Sequence, residues 1–142
     1  MSELINLEES YPTARKHANN PHNMGPMAPY SGHAKITGPC GDTMEFWILA
    51  DENEIKKVSF ITDGCDPSRA CGSMTACLAE GKSIEEAQTI NQQDVLKALE
   101  GLPKDHEHCA LLSTNTLRAA CGDYLSKQKT NGGNKSGKQK NM

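Results

Sequence analysis

Residues 43–62 read TMEFWILADENEIKKVSFIT and contain two short apolar stretches on either side of the polar turn at 51–54. Aromatic and β-branched residues in both stretches favour strands over helices. In the second stretch the alternation of apolar and polar residues slips at Lys56 and Lys57, which predicts a bulge or a later start of that strand. The sequence therefore predicts an antiparallel hairpin.

Elements on either side of the hairpin complete the predicted fold. Residues 31–37 predict a short edge strand, and a helix near 8–18 precedes an irregular, proline-rich linker. Helices are predicted after the hairpin over residues 67–80, from a capping box at 83–86 to residue 88, over 91–100 and over 106–126. A few strands followed by a run of helices indicate an α+β fold rather than an alternating β-α-β one.

The chain has 142 residues, which is the length of one domain with tails. We expect an N-terminal helix and linker at 1–30, a folded domain at 31–126 and a disordered tail at 127–142. The tail is rich in Lys, Gly and Asn, holds five lysines and no acidic residue, and has too little apolar surface to offset the entropy of ordering it.

Composition and charge exclude several classes of protein. No apolar run approaches the ~20 residues of a membrane span. The start, MSELINLEES, contains no secretory signal, so we expect a cytoplasmic protein. Residues 1–126 carry 18 acidic and 10 basic residues, which disfavours a nucleic-acid partner bound on a basic face.

The six cysteines indicate metal or sulfur chemistry, because cytosolic thiols stay reduced and disulfide frameworks are rare there. Cys40 precedes the first hairpin strand and Cys65 follows the second, so the hairpin brings their two turns to the same end of the sheet. Asp42 lies at that edge as well. Three separate buried thiols remain the alternative reading of the spacing alone.

Cys109 follows His108 near the start of the last predicted helix, and a helix N-terminus favours the thiolate form that binds metals. If that helix end docks on the strand ends, three thiolates, a carboxylate and an imidazole converge. Soft thiolate ligands select zinc, copper(I) or iron–sulfur clusters.

Five motifs in order along the chain carry a resemblance to a known family. The chain resembles the U-type iron–sulfur cluster assembly scaffolds, the family of IscU and of the N-terminal domain of NifU, over about residues 8–126. The motifs are NPHNMG at 20–25, CGD at 40–42, DGC at 63–65, GKSIEEA at 81–87 and HC at 108–109.

The resemblance implies a small α+β domain with a three-stranded antiparallel sheet and helices packed on it. It implies a scaffold rather than an enzyme, which accepts sulfur from a cysteine desulfurase, binds iron, holds a transient [2Fe-2S] cluster and transfers it to acceptor apoproteins. Cys40, Cys65 and Cys109 match the cluster cysteines, Asp42 matches the weak fourth ligand and His108 an alternative ligand. Zinc is an alternative occupant of the same site, and a second subunit could shield the cluster in a homodimer.

The chain also departs from the family pattern. LPKDH at 102–106 replaces the segment that a specialised chaperone recognises, which puts recognition by the usual heat-shock chaperone in doubt. DPSR at 66–69 replaces a run of small residues. Three cysteines are additional to the family pattern. We expect Cys71 and Cys77 to be packing residues, and an auxiliary thiol that relays sulfur is the alternative role of Cys71. We expect Cys121 to lie too far along its helix to share the site.

Two other functions use the same thiolates. In a zinc-bound sulfurtransferase-type acceptor, one cysteine leaves the metal to take up persulfide sulfur. In a structural zinc-binding interaction domain, the metal only holds the fold together. His22 and His33 lie in polar segments and are expected to be exposed.

Overall fold

The computed structural model describes residues 11–39 and 41–132. Cys40, the start of the predicted first helix and residues 133–142 of the predicted tail lie outside the described residues. The elements, in chain order, are α1 (Pro12–Asn19), β1 (Gly32–Thr37), β2 (Thr43–Asp51), β3 (Glu54–Thr62), α2 (Asp66–Ala79), α3 (Ile84–Ala87), α4 (Gln92–Leu99), a 3₁₀ turn (Lys104–His106) and α5 (His108–Gly132).

The three strands form one antiparallel sheet in the order β1-β2-β3, which confirms the predicted α+β fold. The register of β2 and β3 shifts between Leu49, which pairs with Lys57, and Ala50, which pairs with Ile55. The extra residue on β3 is Lys56, so the slip in the sequence pattern marks a true bulge. Glu52 and Asn53 both have positive φ values, as a two-residue hairpin turn with the twist of the strands requires.

Local sequence signals determine where several of the helices begin. Cys65 is the N-cap of α2, with Pro67 in the first turn, where a missing N–H costs nothing. Ser83 and Glu86 form the predicted capping box of α3, and Asn91 with Asp94 forms a second one at α4.

Among the described residues, no helix combines the length and apolar character that a bilayer-spanning segment needs.

The core lies between one face of the sheet and the helices α2 and α5. Phe46 and Phe60 lie opposite each other on β2 and β3, are fully buried, and stack with ring centroids 5.8 Å apart. Gly72 of α2 lies directly over the Phe60 ring, since a Cβ atom there would come within 2.4 Å of two ring carbons. The Phe60 side chain of the sheet therefore packs directly against the backbone of α2.

Residues at both ends of the predicted 31–126 domain take part in the folded structure. The helix α1, which belongs to the predicted helix and linker at 1–30, packs on α2 and buries Ala14 and Ala18 in the common core. The helix α5 was expected to end at residue 126 and continues to Gly132, so residues 127–132 of the predicted disordered tail are helical.

The two histidines predicted to be exposed are half-buried and hydrogen-bonded, which corrects that expectation. His22 Nε2 lies 2.7 Å from Glu80 Oε1, and Glu80 Oε2 accepts bonds from the Asn23 side chain and from the Val58 amide. His33 pairs with a glutamate on β2. Sequence alone could not show these contacts, because the carboxylates come from distant elements.

We expect Gly72→Ala to destabilise the fold by about 1–3 kcal/mol, because the added methyl group would overlap the buried Phe60 ring. Gly122→Ala is the matched control, since a Cβ at this position in α5 meets nothing within 4 Å. It should stabilise the protein by about 0.5–1 kcal/mol through helix propensity. Urea unfolding of both variants checks this, and equal effects of the two substitutions would contradict the close approach of α2 to the sheet.

Candidate metal centre

The start of β2 and the end of β3 are joined by hydrogen bonds at one end of the sheet. The Thr43 amide donates to Asp63 Oδ1 at 2.8 Å, and the Thr62 hydroxyl donates to the Thr43 carbonyl at 2.7 Å. The Gly64 amide in turn donates to the Thr62 hydroxyl at 3.1 Å. The turn that contains Cys65 is thereby fixed next to the residue that follows Asp42, as the hairpin argument predicts for this end of the sheet.

The loop that leads into β2 is a tight turn. The Gly38 amide donates to the Asp42 carbonyl at 2.8 Å, and the Gly41 amide donates to the Gly38 carbonyl at 3.0 Å. Gly41 has φ +96°, a conformation that favours glycine. Cys40 belongs to this loop in sequence, but it is outside the described residues, and only its neighbours can be placed.

A serine that the sequence analysis did not single out connects the loop to α5. Ser68 Oγ lies 3.1 Å from Asp42 Oδ2 and 3.4 Å from Cys109 Sγ, and the serine is fully buried. One signal could have identified it: Ser68 lies three residues after Cys65, which on a helix puts both on the same face. The hydroxyl thus joins three elements at one point.

Gly64 makes room for this contact. A Cβ atom at position 64 would lie 2.3 Å from Ser68 Oγ and 2.9 Å from Asp42 Oδ2. Any side chain there would displace the hydroxyl or the carboxylate. The glycine of the DGC motif is therefore required by the packing of the site.

The two described cysteines of the predicted ligand set differ in exposure. Cys65 is exposed at the head of α2, whereas Cys109 is buried, with His108 Nε2 3.9 Å from its sulfur. The His106 ring lies 6.3 Å from the His108 ring, measured between centroids. The site therefore has an exposed thiol on one side and a buried thiol beside an imidazole on the other.

Cys71 lies behind the site, on the same face of α2 as Ser68 and one turn further along. It is fully buried. Burial, reinforced by the charges of Cys109 and Cys65, raises the pKa of the Cys71 thiol well above its usual range. Cys71 therefore stays a neutral thiol close to both other cysteines.

The remaining cysteines lie elsewhere on the fold. Cys121 is buried in α5, and burial raises its pKa to about 12. Cys77 was expected in the core but is exposed, because its turn of α2 leaves it on the solvent side of the helix. Burial and the charge of Glu80 still raise the pKa of Cys77. Arg69 pairs with Asp66 within α2 and also donates to the Ala18 carbonyl, which connects α2 to α1.

Within residues 11–39 and 41–132, no three histidine, cysteine, aspartate or glutamate side chains group closely enough to hold a metal ion. The contacts connect Asp42, Cys109 and His108 around Ser68, with Cys65 at the adjacent helix end. Cys40, the remaining member of the predicted set, is not among those residues. Soft sulfur donors beside one carboxylate and one imidazole form a donor set that suits zinc or iron–sulfur chemistry.

Comparisons with known proteins agree with this arrangement of motifs. An iron-sulfur cluster assembly scaffold protein IscU of Archaeoglobus fulgidus is 40% identical over 112 residues, which cover 78% of this chain and 73% of that protein. The IscU of Escherichia coli is 36% identical over 117 residues, which cover 79% of this chain and 91% of that protein.

Solved structures show the same fold at lower identity. A NifU-like protein (N-terminal) from Brucella abortus superposes with a TM-score of 0.64 at 16% identity and covers 81% of this chain and 93% of that one. A putative scaffold for the SUF system from Fervidobacterium islandicum gives a TM-score of 0.60 at 19% identity, covering 77% of this chain and 93% of that one. The family model for the NifU-like N terminal domain matches residues 12–131. The chain therefore belongs to the family of NifU-like N-terminal domains.

Proposed function

We propose that this protein is a scaffold for iron–sulfur cluster assembly rather than an enzyme. It accepts sulfur from a cysteine desulfurase, binds iron, holds a transient [2Fe-2S] cluster and passes it to acceptor apoproteins. The observation that carries the proposal is the hydrogen-bonded connection of Asp42 to Cys109 through Ser68, beside the turn of Cys65. Relatives that are 36–40% identical over most of the chain are named as scaffolds of this kind, which supports it.

Cys40, Cys65 and Cys109 are the proposed cluster ligands, with Asp42 as the fourth and His108 as an alternative. A carboxylate is a harder donor than a thiolate and binds iron less firmly in a sulfur-rich set. The uneven ligand set would leave one position that exchanges readily, which suits a cluster that must leave again. Zinc would fit the same donors when iron and sulfide are absent.

Cys71 is proposed as a packing residue of this site rather than as a sulfur relay. A relay thiol has to react as a thiolate and has to be reached by the sulfur donor. The raised pKa of Cys71 and its complete burial work against both requirements.

The partners follow from the chemistry that the site would perform. The exposed position of Cys65 leaves the site open to a cysteine desulfurase that delivers sulfur and to apoproteins that receive the cluster. A homodimer that covers the open side is compatible with this arrangement. LPKDH at 102–106 includes the short 3₁₀ turn Lys104–His106 that leads into α5. Because it differs from the segment that the specialised chaperone recognises, we do not propose the usual heat-shock chaperone as a partner.

The function is tested by anaerobic reconstitution with iron and sulfide, followed by quantitation of both. We expect equal amounts of iron and sulfide and visible absorption of a [2Fe-2S] cluster, which Cys65→Ser and Cys109→Ser should abolish. Cys77→Ser is the matched control, because Cys77 is exposed on the same helix and away from the site. Stable zinc with no reconstitution would favour the sulfurtransferase-type or structural zinc function instead.

Replacing the proposed weak ligand should make the cluster longer-lived. We expect Asp42→Ala to slow transfer of the cluster to an apo-ferredoxin several-fold and to increase its stability in air, because the exchangeable carboxylate position is lost. The formation of holo-ferredoxin measures the transfer, and the decay of the visible absorption in air measures the stability. Asp51→Ala serves as a control, because it removes an exposed carboxylate at the opposite end of β2. Faster cluster loss from Asp42→Ala than from the wild type would rule out this role.

A further inference from the structure

Ser68 occupies the point at which the proposed ligands meet, although its hydroxyl is itself a poor metal ligand. Its Oγ is 3.1 Å from Asp42 Oδ2 and 3.4 Å from Cys109 Sγ. The serine has no exposed surface, so water does not compete for these contacts. A hydroxyl has a single hydrogen and can donate it to one acceptor at a time.

The two acceptors compete for that hydrogen when a metal is bound. The carboxylate of an ionised aspartate only accepts hydrogen bonds, and so does a cysteine sulfur that is bound to a metal. A carboxylate has two oxygens with several lone pairs, so Asp42 can accept the Ser68 hydrogen on Oδ2 and still offer Oδ1 to a metal. Outer-shell hydrogen bonds of this kind orient a ligating carboxylate and support its binding. Asp42 is therefore held in one orientation while Ser68 donates to it, and it can turn away when the hydrogen goes to Cys109.

The packing around the Ser68 hydroxyl keeps its oxygen within reach of both acceptors. The position that a Cβ of residue 64 would take is within 2.3 Å of Ser68 Oγ, so the hydroxyl fills the space that Gly64 leaves open. Ser68 lies in the first turn of α2, one turn from Cys65, and it cannot move away without shifting the helix. The hydrogen can rotate between its two acceptors while the oxygen stays in place.

We propose that Ser68 is a positioning residue that orients the Asp42 carboxylate toward a metal held by the cysteines. This inference rests on the ligand set of the proposed function. When the hydroxyl donates to Asp42 Oδ2, the carboxylate is held as the fourth ligand, and when the hydroxyl turns to the sulfur of Cys109, the carboxylate can leave. Ser68 thus sets how readily the fourth ligand position exchanges.

The test uses zinc as the probe and measures its rate of transfer from the full-length protein to a chromophoric chelator. Ser68→Ala removes the donor that orients Asp42, so we expect zinc release to become roughly tenfold faster, the low end of the effect of an outer-shell partner. Ser113→Ala is the matched control, because Ser113 is also buried and its hydroxyl has no hydrogen-bond partner among the described residues. It should leave the rate unchanged.

The same substitution in an Asp42→Ala background separates positioning from a general structural effect. With the carboxylate gone, Ser68→Ala should change the release rate little. Acceleration of the same size in both backgrounds, or no acceleration in either, would overturn the role of Ser68 while leaving the ligand set intact. Failure of the wild-type protein to bind zinc at all would instead overturn the ligand set, and the role of Ser68 with it.

Discussion

The antiparallel register between β2 and β3 is the constraint on which the site depends. The bonds between Thr43 and Asp63 and between Thr62 and Thr43 fix that register at the end of the sheet where both turns lie. A slip of one residue would turn every side chain of β3 to the other face and would move Gly64 away from Asp42. Burial of Phe60 against β2 makes such a slip costly, because the ring would be forced into water. Packing in the core therefore stabilises the geometry of the site.

The helices α2 and α5 complete the site, and they contribute to it in different ways. The helix α2 starts directly at Cys65 and carries Ser68 inward, while α5 starts at His108 and buries Cys109 against Ser68. The result is a site with an open side and a closed side. Such an arrangement suits a group that is received from one protein and given to another, since partners can approach from the open side while the closed side keeps its geometry.

Much of this arrangement could be predicted from sequence, because it depends on local signals. The apolar pattern of 43–62 predicts the hairpin, its slip marks the bulge at Lys56, and hairpin geometry predicts which turns share an end of the sheet. What sequence could not supply depends on contacts between distant elements. The role of Ser68 requires the position of α5, and the exposure of Cys77 requires the side of α2 that the core covers.

Cobalt(II) binding tests most directly whether cysteines from separate parts of the chain meet in one metal centre. Thiolate ligands give bound cobalt an intense charge-transfer absorption that grows with the number of sulfur donors. We expect the protein to bind one equivalent of cobalt, with an absorption that weakens by a similar step in Cys40→Ser, Cys65→Ser and Cys109→Ser. The absorption should be unchanged in Cys121→Ser. An absorption that none of the first three substitutions weakens would contradict a shared site.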